Sequence, residues 1–362
     1  MKELIARLAL QFHPNLGGIT VKKLLQHYGS ATEIFSEKST FSPLGKRVPV
    51  PRLTQPIREL AEQELAYMER HHIHLCFYTD ENFPKRLKMC VDAPYMFYYR
   101  GSFVFDHPKM VAVVGTRNVS PYGKDATHRI ISELAPYDVC VVSGLARGVD
   151  TVAHEQALDS GLKTVAVLGC GFRRIYPDSN ERLAQRIIEQ GGGILSEFPF
   201  LTKPDRQNFP QRNRIIAGLS DVTLVMETAE KGGSIITAHI AHSYNRDVMA
   251  VPGNIFSPTS SGCHALIKKN IAALATGGQD VIELMRWDDQ PVRAVQRSLF
   301  VDLSDEEQAI VAQLGTQDGL PIDDLMGSLP QFTPSQLAAL LLQLELKGVI
   351  ECTPGKIYRM CQ

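Results

Sequence analysis

No apolar run in the 362 residues approaches the roughly 18 that a membrane-spanning helix requires, so no membrane partner is expected. The charged, amphipathic opening at residues 1–7 does not read as a signal peptide, which leads to the expectation of a cytoplasmic protein. No C-x-x-C pair occurs among the seven cysteines at positions 76, 90, 140, 170, 263, 352 and 361, several of which lie in apolar, strand-like runs. Reduced core thiols are therefore expected in place of disulfides, zinc or thiol catalysis. No excess of charge exists either. A net charge of −1 excludes polycation-style binding while leaving room for a local basic face. G-x-x-x-x-G-K-[ST] is absent, which speaks against a P-loop nucleotidase, and the first glycine loop lacks G-x-G-x-x-G with an acid placed for a ribose. His264 has no neighbouring Ser or Cys and acid with which to form a triad, and reads as a capping or core residue. No cofactor, metal or catalytic residue is expected.

The length suits two or three domains, and 44% hydrophobic with 21% charged residues is ordinary for a globular chain. Residues 1–70 read as short helices. The clearest is 16–29, entered through Gly17-Gly18 and left at Gly29, which looks like a helix-hairpin-helix (a SAM-like unit) with Thr20 at the second glycine position. Packing or dimerisation is its favoured use over DNA contact. Pro, Gly and Ser mark a loop at 39–56, before a polar helix to about Arg70. Residues 71–108 are aromatic and Pro-punctuated, as in Asn82-Phe83-Pro84 and Tyr95-Met96-Phe97-Tyr98-Tyr99. These rings could stack bases, but a strand or two laid against the next domain accounts for them and is favoured.

From about 109 to 287 one pattern repeats: a short Val/Ile/Leu/Ala run, a glycine-rich or polar loop, then a helix. The runs are 110–115, 139–144, 164–169, 194–197, 222–227 and 248–253. Continuous apolar runs alternating with amphipathic helices predict an α/β domain: a doubly wound, mostly parallel, extended Rossmann-like sheet over 71–287. Residues 288–303 read as a linker. Residues 304–362 predict three helices, beginning at Ser304, Pro321 and Thr333, and a hairpin turning at Pro354-Gly355, which together make a winged helix. Its third helix has no Arg or Lys before Lys347, so protein contact is favoured over groove reading.

In doubly wound sheets ligands bind outside the carboxyl ends of the strands. The loops placed there by the pattern, 115–123, 143–150, 169–179, 196–214 and 227–234, hold nine Lys or Arg against six Asp or Glu, a modest positive rim on an otherwise acidic molecule. Gly115 and Gly144 allow close backbone approach, while Ser143, Ser234 and Thr237 carry hydroxyls for phosphate. Phe209-Pro210-Gln211-Arg212-Asn213-Arg214 predicts a helix with Pro210 as its first residue and both arginines in the first turn. Cations are disfavoured there by the macrodipole, so either an anion sits beside them or they pair with Glu197 or Asp205. Backbone N–H groups, guanidiniums and the Phe209 ring suit a phosphate with a base beside it. Several such sites along a rim suit a polymer better than one compact cofactor.

With Gly115-Thr116-Arg117, Ser143-Gly144-Leu145-Ala146-Arg147-Gly148-Val149-Asp150, Tyr176-Pro177, Phe209-Pro210-Gln211-Arg212-Asn213-Arg214 and Gly233-Ser234-Ile235-Ile236-Thr237-Ala238 in order, the chain resembles the DNA-processing protein A family (DprA, also called Smf) over nearly its whole length. The resemblance implies a non-enzymatic homodimer. Such a protein binds and protects single-stranded DNA without strong sequence preference and promotes loading of the RecA recombinase during DNA uptake. By it, Arg117 meets backbone phosphate, Arg206 fills the basic position ahead of Phe-Pro, Phe209 stacks on a base, and Arg212, Asn213 and Arg214 complete the pocket. The full candidate set is Gly115, Thr116, Arg117, Ser143, Gly144, Arg147, Gly148, Arg206, Phe209, Arg212, Asn213, Arg214, Lys231, Gly233, Ser234 and Thr237. Two positions depart from the family: Thr116 replaces the common Ser, and Asp178 stands after Tyr-Pro where a basic residue is frequent, leaving Arg173 or Arg174 to substitute. The rival reading is a nucleotide N-glycosidase of the lysine-decarboxylase-like group, whose P-G-G-x-G-T-x-x-E carries a catalytic glutamate. Here Lys231-Gly232-Gly233-Ser234-Ile235-Ile236-Thr237-Ala238-His239 has none. A third reading, a dimeric scaffold acting through its terminal domains, needs neither Arg117 nor Arg214.

Overall fold

Four helices lead the chain in the computed structural model, which describes residues 3–14, 16–36, 51–288, 303–315, 319–353 and 355–360. They are α1 (Glu3–Phe12), α2 (Gly18–Tyr28), α3 (Ala31–Ser36) and α4 (Gln55–Arg70). Their apolar faces meet in one cluster that includes Leu8, Leu24, Ile34 and Ala61. Gly29 ends α2 at φ +83°, where its N–H reaches the Leu25 carbonyl, a left-handed stop that glycine takes without strain. The expected loop at 39–56 lies outside the described residues from 39 to 50, and α4 begins within its last two residues.

The central elements follow as β1 (His74–Phe77), α5 (Lys85–Lys88), β2 (Met96–Gly101), β3 (Met110–Val114), α6 (Pro121–Leu134), β4 (Cys140–Ser143), α7 (Val149–Asp159), β5 (Thr164–Leu168) and α8 (Glu181–Glu189). Then come β6 (Gly193–Ser196), α9 (Asn208–Leu219), β7 (Val222–Val225), α10 (Gly233–Ser243), β8 (Asp247–Ala250), α11 (Ser261–Lys268), β9 (Ala273–Leu274) and α12 (Gly278–Met285). They form a nine-stranded sheet in the order β1-β2-β6-β5-β4-β3-β7-β8-β9. The pairs from β6 through β9 are parallel, whereas β1 and β2 run antiparallel at one end. Every apolar run expected to be a strand is one.

Alternation along β3 explains why those runs are apolar throughout. Met110, Ala112 and Val114 enter one buried cluster, with Ile215 and Ala238, while Val111 and Val113 enter another, with Ile130 and Val281. Side chains of a strand point to opposite faces, so helices on both faces demand apolar residues at every position. The aromatic segment is core as well. Phe77, Phe83, Phe97 and Tyr98 are each no more than 2% exposed, which bears out packing over base stacking.

The chain builds β3 to β6 outward on one side and then returns to place β7 against the other side of β3. A crevice follows at the carboxyl ends of β3 and β7, where the winding reverses.

The remaining elements are α13 (Asp305–Leu314), β10 (Leu320–Pro321), α14 (Ile322–Ser328), α15 (Pro334–Leu346), β11 (Ile350–Thr353) and β12 (Ile357–Met360), with sheet order β10-β12-β11. Capping boxes at Ser304 with Glu307 and Thr333 with Gln336 fix the starts of α13 and α15. Pro321 lies in a short strand ahead of α14 instead of opening the helix, and the assembly is a winged helix. The linker expected at 288–303 falls outside the described residues from 289 to 302. Among the described residues, no helix is long and apolar enough to cross a membrane.

One carboxylate ties the leading helices to the loop that carries the basic rim. Glu64 of α4 is buried, and its Oε1 accepts the Phe200 N–H at 2.9 Å while the Phe200 ring stacks on Tyr67 with centroids 4.1 Å apart. Burial pushes its carboxyl up to about 7 from 4.5. A raised carboxyl contributes stability that is complete below its unfolded value and is lost as pH rises through its folded one. Raising the pH from about 5 to about 8 is therefore expected to lower the wild-type melting temperature more than that of Glu64→Gln; identical slopes in thermal melts would exclude the assignment.

Candidate nucleic-acid interface

A cavity of about 300 Å³ occupies the crevice, lined by Gly115, Thr116, Arg117, Ala146, Asp150, Phe209, Arg212, Asn213, Thr228, Gly233, Ser234 and Thr237 among others. Backbone bonds hold its loops together: the Thr116 N–H donates to the Glu227 carbonyl at 2.7 Å and the Val149 N–H to the Thr116 carbonyl at 3.1 Å. Gly148 permits that second contact. It sits at φ +82°, and a Cβ there would come within 2.3 Å of the Thr116 carbonyl oxygen.

Helix α9 starts at Asn208, so Pro210 is its third residue and Arg212 and Arg214 fall in the second turn, not the first. The macrodipole acts mainly over the first turn, so it does not by itself require an anion at these arginines. Phe209 is the residue that the helix start presents. Its ring rests on Gly169, where a Cβ would stand 2.8 Å from the ring, and the Tyr176 ring lies 5.9 Å away. The Arg117 guanidinium is held 5.0 Å from the Phe209 centroid. Arg117 is exposed and has no carboxylate partner among the described residues, so its N–H groups remain available to phosphate.

Several candidate side chains are committed inside the protein. Arg212 is 4% exposed, and its Nη1 donates to the carbonyls of Gly144, at 2.6 Å, and Val167. Burial pushes this guanidinium down to about 10 and pushes the Asp150 carboxyl up, and each charge opposes the other's shift. Gly144 lies directly beneath that guanidinium, 2.3 Å from where its Cβ would stand. Ser143 is buried, with its hydroxyl donating to the Val113 carbonyl at 2.6 Å. Arg214 donates to the Asp92 carbonyl and to Glu197. Of the pairing alternatives, Glu197 is the one realised; Asp205 instead accepts the Gln207 N–H at 2.8 Å. Of Ser143, Gly144, Arg212 and Arg214, only Arg212 lines the cavity; the donors of Ser143, Arg212 and Arg214 are taken up inside the protein, and Gly144 accepts through its carbonyl.

The start of α10 behaves differently. Gly233 and Ser234 line the cavity at a helix start, where the first N–H groups lack intrahelical acceptors. Ser234 is 6% exposed, yet its hydroxyl has no protein partner. A buried, unsatisfied donor beside a helix N-terminus suits an oxyanion. Arg147, Arg206 and Lys231 do not line the cavity, but all three are exposed and free of ion pairs among the described residues, as are Arg173 and Lys203. Arg174 is paired with Asp178, Nε to Oδ1 at 2.7 Å, which leaves Arg173 as the substitute after Tyr-Pro.

Sequence reasoning did not place Tyr176 beside Phe209, although Tyr176-Pro177 stood out as a motif, and nothing in the sequence marks Asp92 as the partner of Arg214. His264 keeps its structural reading, with Nε2 3.1 Å from the Gly253 carbonyl oxygen. No group of three or more metal-ligating side chains occurs among the described residues.

Arg212→Met should cost about 3–5 kcal/mol in urea unfolding, because it strands two carbonyls and the Asp150 charge. Arg117→Ala should stay within about 0.5 kcal/mol of wild type. An Arg212→Met protein of full stability would refute the buried tie.

Residues 74–286 match the family model for DNA recombination-mediator protein A, and residues 300–356 match that for the DprA winged helix domain. Protein Smf of Escherichia coli (strain K12) is 36% identical over 308 residues, covering 84% of this chain and 82% of that protein. DNA processing protein DprA of Streptococcus pneumoniae is 43% identical over 204 residues, 56% of this chain and 71% of that one. The X-ray structure of DNA processing protein A from Streptococcus pneumoniae superimposes with a TM-score of 0.65 at 31% identity, covering 78% of this chain and 98% of the other. DNA processing protein A from Helicobacter pylori, solved for its single-stranded DNA binding mode, gives 0.54 at 33% identity, with 60% and 96% covered. With its central sheet and its winged helix both matched, the chain belongs to the DNA recombination-mediator protein A (DprA/Smf) family.

Proposed function

We propose that the protein binds single-stranded DNA along the rim at the carboxyl ends of its parallel strands, protects it, and promotes RecA loading during DNA uptake and recombination. In this reading it works as a cytoplasmic homodimer without enzymatic chemistry. Helical residues 1–70 and winged-helix residues 304–362 flank the DNA-binding unit at 71–287, the latter through the 288–303 linker. The observation that carries the reading is the Arg117–Phe209 pair, a cation over an aromatic ring, set beside the unsatisfied Ser234 hydroxyl. Together they offer a phosphate contact, a stacking face and an oxyanion donor in one cavity. The exposed Arg147, Arg206 and Lys231 continue the positive track beyond it. Membership of a family whose relatives are named DNA processing proteins supports the same conclusion, as does the Helicobacter pylori relative studied for single-stranded DNA binding.

The glycosidase alternative needs an acid free to act in the cavity. Among the described residues Asp150 is the one carboxylate lining it, and it is buried, faced by the Arg212 charge and accepting the Ala146 N–H at 3.2 Å. Backbone contacts and one stacked ring provide affinity without a base-reading element, so strong sequence preference is not expected.

Fluorescent single- and double-stranded oligonucleotides titrated at two salt concentrations test the proposal. With about four phosphates neutralised by Arg117, Arg147, Arg206 and Lys231, log K should fall against log salt with a slope near −3. Phe209→Ala should lose about 1–3 kcal/mol of binding, and Arg117→Ala should weaken binding and flatten the slope. Unchanged binding by both variants, or a preference for duplex, would refute it.

A further inference from the structure

A second cavity, of about 470 Å³, opens beside the first, with Thr228 lining one and the preceding Glu227 lining the other. Its walls include Ser120 and Tyr122 from the start of α6, and Pro252, Gly253 and Asn254 from the loop after β8. Among the described residues that line it there is no Arg or Lys. Glu227 is 2% exposed; its Oε2 accepts the Ser120 N–H at 2.9 Å and its Oε1 the Thr259 hydroxyl at 2.5 Å. Each carboxylate oxygen can accept more than one hydrogen bond, so acceptor capacity remains.

This chemistry excludes phosphate and favours a base. A buried carboxylate with no cation beside it repels the DNA backbone, but it accepts from an exocyclic amine as Glu and Asp do from cytosine N4. Aromatic surface stands ready for the base plane. The Tyr122 ring is half exposed and is fixed by its hydroxyl bond to the Pro252 carbonyl at 2.5 Å. Farther along the same loop, outside the cavity lining itself, Phe256 is 86% exposed. Its exposure leaves it little packing role in the folded chain.

We propose that this cavity is a second base subsite for the same DNA strand, in which Glu227 accepts the exocyclic amine of cytosine, adenine or guanine while Tyr122 and Phe256 flank the ring. Thymine lacks that amine and is disfavoured. The inference rests on the single-strand reading above, and adds to it a mild bias in base composition.

The full chain is titrated with oligo(dC) and oligo(dT) of equal length at one salt concentration and mildly alkaline pH, where cytosine stays unprotonated. Oligo(dC) should bind about five- to tenfold more tightly. Glu227→Gln should collapse the ratio towards unity, because an amide both donates and accepts. Phe256→Ala, which cannot disturb the core, should weaken oligo(dC) about fivefold and reduce the ratio, so the test survives if Glu227→Gln loosens its loop. Equal binding of the two oligonucleotides by wild type, or a ratio unchanged in both variants, overturns the subsite and leaves single-strand binding standing. If neither oligonucleotide binds, the single-strand reading itself falls and takes the subsite with it.

Discussion

The candidate interface depends on one buried guanidinium. Arg212 reaches from α9 to the carbonyls of Gly144 after β4 and Val167 at the end of β5, and so fixes the relative positions of three elements at the carboxyl edge of the sheet. Gly144 has to be glycine because the guanidinium lies on it. The tie also holds α9 against the sheet, and therefore helps fix where Phe209 stands. Phe209 in turn rests on Gly169, which follows β5, and receives Arg117 from the loop after β3. A charge placed where burial penalises it is offset here by the two carbonyls that accept from it and by the Asp150 carboxylate.

The same residue type is thereby divided between two tasks. Arg212 and Arg214 spend their donors on carbonyls and Glu197, within the protein. Arg117, Arg147, Arg206 and Lys231 project from loops with no ion-pair partner among the described residues. On a chain of net charge −1, a local excess of unpaired cations along one edge is what gives direction to a polyanion. The pairing of Arg174 with Asp178 shows the contrast: where an acid stands four residues away, the cation is cancelled locally.

The fold was legible because burial on both faces leaves an apolar signature that needs no partner to be recognised, as along β3 and β7. The position of the cavity was legible too, since a doubly wound sheet gathers the loops after its strands at one edge. Assigning side chains within those loops was harder. Ser143 and Arg212 look like phosphate ligands in sequence, and only the distances to Val113, Gly144 and Val167 reveal them as internal bonds. Misplacing the start of α9 by two residues also made the helix-dipole reasoning point at the wrong side chains. Long-range partners such as Asp92, 122 residues from Arg214, leave no local pattern. Ser234 was selected for its hydroxyl, but the feature that distinguishes it, burial without a partner, exists only in three dimensions.

Backbone binding and base discrimination are compatible because they use opposite charges in adjoining cavities. The first cavity combines a guanidinium, a helix start and a hydroxyl, all of which attract phosphate oxygens; the second presents the Glu227 carboxylate, which phosphate avoids, and the Tyr122 ring, on which a base can lie. The loop between Gly115 and Ser120 and the residues at Glu227 and Thr228 form the wall between them. That wall is held by the Thr116 N–H on the Glu227 carbonyl and the Ser120 N–H on its carboxylate. A strand crossing the wall would turn its phosphates towards Arg117 and a base towards Glu227. Position along the rim, not the identity of a reading helix, would then set the modest preference proposed above.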